Sequence, residues 1–579
     1  PEMMEFFSEK LGVQYPWNKY SQVVVRDYVS GAMENTTATL HSEILQRTDR
    51  ELLDLNYEDI VSHELFHQWF GDLVTCESWS NVPLNESFAT YGEYLWQEYK
   101  YGKDAADEHS QDSRDGYFSE SLRKKEPLIR FQYEEREELF DAHSYNKGGQ
   151  VLHMLRKYTG DEAFFASLKL YLETNKFKSV EVHNLRLAFE QVTGEDLNWF
   201  FNQWFLSSGH PELVITTSYD ATAKKEKIQI KQTQDFTKTR LFEIPMFVDI
   251  YSNGNVERKK IHVTKADQEF YFDVAQTPDL VNVDAEKMLL CRKTDKKSVR
   301  ELAFQYDHAP LYLDRYEALA GLADRAKDSL ATQVIISALN DKFWSLRKKA
   351  ISELKFCKAG REQEIKDKLI ALAKTDERAA VREAAIGYLS ASYKDKDLNI
   401  IYETALNDRA YGVAGASLMA LTKHDSIQGI KAAKQFENEK NLDMLGAVLE
   451  AYAILGSDEH NAFFINSAER FKGYYKISFV IHYGQYLKNV KNYETLNSGV
   501  NYIAALASNE HTDRYTNYYA RKTIKDLENS LNERITETSK KLTTTDAAKM
   551  TAEEKILQNK LEKDKVEKQK IADVYNSIK

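Results

Sequence analysis

Two apolar periodicities alternate along the chain. Between 57 and 70, Ile60, Val61, Leu65, Phe66, Trp69 and Phe70 recur at the spacing of one helix face, which predicts an amphipathic helix there. Upstream, Val23-Val24-Val25 reads as a strand. Further helical patterns run at about 85–100, 143–158, 161–175 and 182–203. Past Gly209-His210-Pro211 the period shortens to two. The short runs begin at Leu213, Lys227, Ile244, Lys260 and Phe270, with turn residues such as Asn253-Gly254-Asn255 between them. They predict a small antiparallel β domain, a sandwich by spacing. From about 300 to the end the pattern is helical again.

A repeat runs through the helical part. Asp341, Leu346, Arg347, Ala350, Ile351 and Leu354 recur as Asp376, Val381, Arg382, Ala385, Ile386 and Leu389, and more weakly from Asp408 and Val413 to Leu418 and Leu421. The copies start 35 and 32 residues apart, the period of a helix pair. The pattern resembles HEAT repeats, in which each copy buries an apolar stripe on its neighbour; an Asp helix cap is expected in each. Residues 540–579 carry ten Lys against seven Asp and Glu, which predicts a solvated terminal helix. The division expected is 1–208 catalytic, 209–298 β-sandwich, 299–535 helical solenoid and 536–579 Lys/Glu-rich terminal helix, a multidomain α+β chain.

Composition narrows the function classes. A chain of 579 residues exceeds one hydrophobic core. The net charge of −12 argues against nucleic acid as a partner, since phosphate binding needs a basic face. Cys76, Cys291 and Cys357 lie far apart and form no CxxC pair, so neither a disulfide framework nor a cysteine metal site is expected. No apolar run approaches the ~18–20 residues of a membrane span. The chain starts without Met and enters patterned sequence at once, as a fragment would. A soluble monomer is expected, with cytoplasmic and exported (periplasmic) locations both open.

The chemistry concentrates at His63-Glu64-Leu65-Phe66-His67. On a helix, residues i and i+4 share a face, so His63 and His67 can address one ion, with Glu64 beside them as a base for water. In a chain with 14 His, an H-E-x-x-H arises by chance only about 0.03 times. Eighteen residues separate His67 from Glu86, which opens the next helical stretch and supplies a third ligand. Two imidazoles and a carboxylate leave a fourth tetrahedral position open, the form of a catalytic metal site. They suit zinc, one per chain, although the donor types alone leave cobalt and manganese open.

Together with Gly31-Ala32-Met33-Glu34-Asn35 after the first strand, these residues resemble the M1 family of zinc aminopeptidases. The match includes G-A-M-E-N at 31–35, H-E-L-F-H-Q-W-F-G-D at 63–72, N-E-S-F-A at 85–89 and the Tyr145-Asn146-Lys147-Gly148 segment. The resemblance implies a thermolysin-like catalytic domain and peptide substrates with free N-termini. It gives His63, His67 and Glu86 to zinc and makes Glu64 the general base. Tyr145 would stabilise the oxyanion, and Glu34 would hold the substrate α-ammonium. Gly31 and Ala32, within the 31–35 segment, would line the peptide groove. Glu93 could orient a ligand or be a plain surface glutamate. Family members usually carry an N-terminal β domain that adds an acidic residue to the amine site, and Pro1 begins where that domain would have ended. Ser87 replaces a Gly common after the ligand Glu, a change expected to be tolerated. A lipid-epoxide hydrolase, a metalloendopeptidase and a repeat scaffold with a vestigial site are the competing readings.

Overall fold

Among the described residues, helices carry most of the chain and four small sheets lie between residues 21 and 295. The computed structural model describes residues 1–26, 28–357, 360–509, 512–542 and 550–578. They divide into two units, Pro1–Arg47 with Asn56–Gly360, and Thr48–Leu55 with Arg361–Lys579. No helix among the described residues is long and apolar enough to cross a membrane.

The first unit opens with α1 (Glu2–Leu11) and a three-stranded sheet of β1 (Ser21–Val25), β2 (Ala32–Met33) and β3 (Ala38–Ser42) in the order β1-β3-β2. β1 runs parallel to β3 and β2 antiparallel to it, so β2 forms one edge. The helices α2 (Glu58–Phe66), α3 (Pro83–Tyr101), α4 (Lys103–Glu120), α5 (Gly148–Thr159), α6 (Asp161–Asn175), α7 (Val182–Thr193) and α8 (Asn198–Trp204) follow. α2 is shorter than its apolar pattern. Past Phe66 the chain tightens, with Gln68 N donating to Leu65 O and Trp69 N to Phe66 O, and Gly71 at φ +141° turns it back. His67 N still donates to His63 O at 3.2 Å, so the two histidines keep helical spacing. The single helix expected over 182–203 is two, because Gly194 at φ 69° caps α7. α4 carries an apolar signal too weak to be read from periodicity.

An aromatic stack fixes α2 against α3. The rings of Phe70 and Phe88 lie 4.1 Å apart and nearly parallel, and Phe66 stacks on Phe70 at 5.0 Å. Gly92 allows this approach, since a Cβ there would stand 2.7 Å from the Phe66 ring. Removing one such buried ring costs about 3–5 kcal/mol.

After the short parallel pair β4 (Thr75–Cys76) and β5 (Ser179–Val180), the β region comprises β6 (Glu212–Asp220), β7 (Lys225–Gln232), β8 (Ile244–Ser252), β9 (Asn255–Val263), β10 (Asp267–Asp273), β11 (Leu280–Val283) and β12 (Arg292–Asp295). They form sheets β10-β7-β6-β12 and β11-β8-β9. Asn253 and Gly254, at φ 52° and 73°, make the tight β8–β9 hairpin. Pairing is antiparallel except for β12, which crosses between sheets and returns parallel to β6. Ile215, Ile228 and Ile230 of one sheet join Met246, Val248 and Ile250 of the other in the same buried cluster as the aromatic stack.

In the repeats, the recurring Asp does not cap its helix as expected. Helices Trp344–Glu353, Ala379–Ser392 and Tyr411–His424 are capped by Phe343, Arg378 and Ala410. Asp341, Asp376 and Asp408 lie two residues earlier and accept from the backbone N–H of Phe343, Arg378 and Ala410 at 2.8, 2.9 and 2.8 Å. The turn is thus closed before the helix begins. Arg347 and Arg382 each reach back to the carbonyl of their Asp, at 2.9 and 2.8 Å. In the second unit, Asp54 accepts from Tyr411 N and Gly412 N at the start of one repeat helix. The terminal helix Ala552–Ser577 is not wholly solvated, for Leu561 and Ile571 are buried and Tyr493 donates to Asp564 at 2.8 Å. Residue 535 falls inside the helix Arg514–Lys541.

Candidate metal and peptide site

α2 and its capping residue His67 present His63 and His67 on one face, and the first turns of α3 bring Glu86 opposite them. Each imidazole has one nitrogen engaged away from this point. His63 Nδ1 lies 2.7 Å from Glu93 Oε1, and His67 Nδ1 donates to the carbonyl of Phe70 at 3.0 Å. Those contacts place a hydrogen on each Nδ1 and turn both Nε2 atoms inward. Both Nε2 atoms stand 3.3 Å from one oxygen, Glu86 Oε2.

These separations fit a tetrahedral divalent ion. Donor bonds of ~2.0–2.1 Å at tetrahedral angles put neighbouring donors about 3.3–3.4 Å apart. The electrostatics agree. Burial alone would raise the Glu86 carboxyl, but the charge of His67 and hydrogen bonds from both histidines hold it well below the usual range. Burial would likewise lower His67, which the charges of Glu86 and Glu34 instead bring up to about 9. The cluster therefore demands positive charge among its donors, which a divalent cation supplies without protons.

Glu64 lines the same cavity as these donors. Burial pushes its carboxyl up to about 7, against the lowering pull of His63 and His67. Donor atoms of Glu34, Glu64 and His67 lie within 4.8 Å of one another. A cavity of about 630 Å³ joins them, lined by Gly31, Ala32, Met33, Glu34, His63, Glu64, His67, Glu86, Glu93 and Tyr145. Trp79 and Phe140, whose rings contact at 5.9 Å, add apolar wall. Ala32 and Met33 are β2 itself, whose edge away from β3 pairs with no other strand among the described residues. Asn35 does not line the cavity; its carbonyl accepts from Ala38 N and closes the turn into β3.

Tyr145 stands on a π-helical turn, His143–Lys147, with its ring stacked 5.8 Å from that of His63. Such turns interrupt α-helices most often at functional positions. Arg130 clamps Asp141 with two bonds of 2.6 and 3.0 Å and donates to Ser144 Oγ at 2.7 Å. Asp141 accepts in turn from the backbone N–H of His143 and Ser144. Ser87 Oγ donates to the Ser144 carbonyl at 2.7 Å, so the serine found in place of glycine ties α3 to this turn. Burial and then the charge of Glu86 push the Tyr145 phenol far above its ordinary range, which keeps it a donor.

Two positioning groups escape sequence reasoning. Gln68, fully buried, donates to Glu34 O at 2.9 Å and accepts from Thr37 N at 2.9 Å. It locks the 34–37 turn, in which Thr37 has φ 66°, onto the histidine helix. Nothing in the local pattern pairs it with residues so far upstream. Arg130 likewise follows the buried Leu128 and Ile129 in a loop, and its partner Asp141 is identified only by the fold.

Residues 1–204 match the peptidase family M1 domain, and residues 332–422 match HEAT repeats. The Arabidopsis thaliana protein "Aminopeptidase M1" is 25% identical over 481 residues, 79% of this chain and 50% of that protein. "Aminopeptidase N" of Lactococcus lactis subsp. lactis is 31% identical over 261 residues, 42% of this chain and 30% of that protein. The chain thus spans half or less of the length of these curated relatives. The crystal structure of Legionella pneumophila aminopeptidase A in complex with aspartic acid has the same fold. It has a TM-score of 0.65 at 18% identity and covers 91% of this chain and 71% of that one. Residues 1–204 of this chain thus carry a match to the domain of peptidase family M1.

Proposed function

We propose that the chain is the catalytic part of a zinc-dependent aminopeptidase with a thermolysin-like catalytic domain, holding one Zn²⁺ on His63, His67 and Glu86. The observation that carries the reading is the convergence of His63 Nε2 and His67 Nε2 on Glu86 Oε2, at 3.3 Å each, beside Glu64 in one cavity. A bound zinc ion supplies Lewis acidity, polarising the scissile carbonyl and acidifying the attacking water.

The chain's own groups do the rest. Glu64 takes a proton from the attacking water as the new C–O bond forms, then delivers it to the departing amine nitrogen as the C–N bond breaks. The Tyr145 phenol donates a hydrogen bond to the oxyanion of the tetrahedral intermediate. Glu34 accepts from the substrate α-ammonium, a charge-assisted contact that an acylated or internal peptide cannot make. The free edge of β2 pairs with the peptide backbone as an added strand, which places the first peptide bond over the site.

The test is hydrolysis of aminoacyl-arylamides by the full-length, zinc-loaded protein beside their N-acetylated forms. Cleavage is expected for free-amine substrates only, with kcat reduced 10²–10⁴-fold by Glu64→Gln. Equal cleavage of acetylated substrates would make the enzyme an endopeptidase. No cleavage by folded, zinc-loaded protein would leave the repeats as a scaffold.

A further inference from the structure

Glu93 uses both of its carboxylate oxygens. Oε1 lies 2.7 Å from His63 Nδ1, and Oε2 lies 2.9 Å from Nε2 of His109. The three residues come from three helices, His63 on α2, Glu93 on α3 and His109 on α4. All three side chains are largely enclosed, at 11, 17 and 23% exposure. Asp59, in the first turn of α2, brings a carboxylate oxygen within 4.8 Å of the Glu93 and His109 donor atoms.

We propose that His109 is a positioning residue for the metal site, acting on His63 through Glu93. This rests on the zinc reading above. A carboxylate held at one oxygen can pivot about its terminal torsion, a broad two-fold rotor. Held at both oxygens by imidazoles on separate helices, it has one orientation. His63 then has its ring plane fixed and its hydrogen kept on Nδ1, which leaves Nε2 free for the ion. His109 also offsets Asp59: without a donor between them, two carboxylates would face each other in a poorly solvated space. Asp59, Glu93 and His109 are not a second metal site, because both Glu93 oxygens are already committed.

The experiment compares wild-type protein with His109→Leu, His109→Gln and His109→Glu. Zinc dissociation constants are measured by competition with a chromogenic chelator, and thermal unfolding is measured in excess chelator. The Gln side chain carries an N–H to about the place of imidazole Nε2, whereas Glu of the same length presents only acceptors when ionised. His109→Leu is expected to weaken zinc binding 10–100-fold, the usual effect of losing an outer partner. His109→Gln should stay within about threefold of wild type and His109→Glu should weaken it at least as much as Leu. Gln should leave the metal-free melting temperature unchanged. Wild-type zinc affinity in both the Leu and Glu variants would overturn the proposal. If the Leu variant fails to fold, equal zinc affinity in the Gln and Glu variants would do so. Failure of the wild-type protein to bind zinc would instead overturn the metal reading itself.

Discussion

Gly148 begins α5 where it crosses α3, directly after the turn that holds Tyr145. A Cβ on Gly148 would stand 1.8 Å from Ser87 Oγ and 2.5 Å from Ser87 Cβ. Rotating the serine hydroxyl relieves the first contact but not the second, so Gly148→Ala must push the π-turn away from α3. Overpacking of this kind costs about 1–3 kcal/mol, offset by up to ~1 kcal/mol from the better helix propensity of alanine. A displacement near 1 Å at Tyr145 lowers kcat by about 10²-fold, since alignment is lost. Ser87→Gly alone forfeits the bond to Ser144 O, about 1 kcal/mol, and adds roughly 0.5–1 kcal/mol for a helical glycine. Ser87→Gly with Gly148→Ala removes both short contacts. The double variant should therefore be more stable than the sum of its parts, by about the overpacking energy, and should recover most of the lost kcat. Melting temperature and arylamide hydrolysis of the four proteins measure this coupling. Wild-type stability and rate in Gly148→Ala, or strict additivity in the pair, would refute the argument.

Other perturbations probe different layers of the structure. Gln68→Leu leaves Thr37 N and Glu34 O without their partner; KM for free-amine substrates should rise about tenfold with a smaller change in kcat, the equivalent of ~1.4 kcal/mol in amine binding. An unchanged KM would separate the Glu34 turn from substrate binding. Stripping the metal with a chelator should lower the first unfolding transition, and zinc at ~1,000 times its dissociation constant should restore about 4 kcal/mol; a melting curve indifferent to zinc would count against the site. His210 is fully buried, its Nδ1 2.9 Å from the Tyr117 hydroxyl, and burial lowers its pKa to about 3. The folded chain thus binds fewer protons at His210 than the unfolded chain between about 3 and 6.5, and stability falls as pH drops through that window, by up to ~1.4 kcal/mol per pH unit. His210→Gln should flatten this acid limb in denaturation measured from pH 7 to 4; an identical slope in the variant would assign the acid sensitivity elsewhere.

Much of this protein is local in character, and the local part was legible in the residues themselves. The i, i+4 spacing of His63 and His67, the two-residue period of the strands after Leu213 and the recurring Asp341, Asp376 and Asp408 are short-range signals that need no tertiary contact to be read. Helix ends were less legible. Gly194 splits the stretch 182–203, and the chain tightens after Phe66, because capping and reversal outweigh apolar periodicity there. Only the tertiary structure could bring Glu93 onto His63, Gln68 onto the Glu34 turn, and Arg130 with Asp141 beneath Tyr145. These pairs lie 11 to 34 residues apart and depend on how α2, α3 and the π-turn pack. Sequence by itself determined which donors the chain possesses and which share a helix face, because backbone periodicity sets both. The fold decided which hydrogen each imidazole keeps, how Glu64 titrates and where Tyr145 stands, because burial, desolvation and contacts between separate helices exist only once the chain has packed.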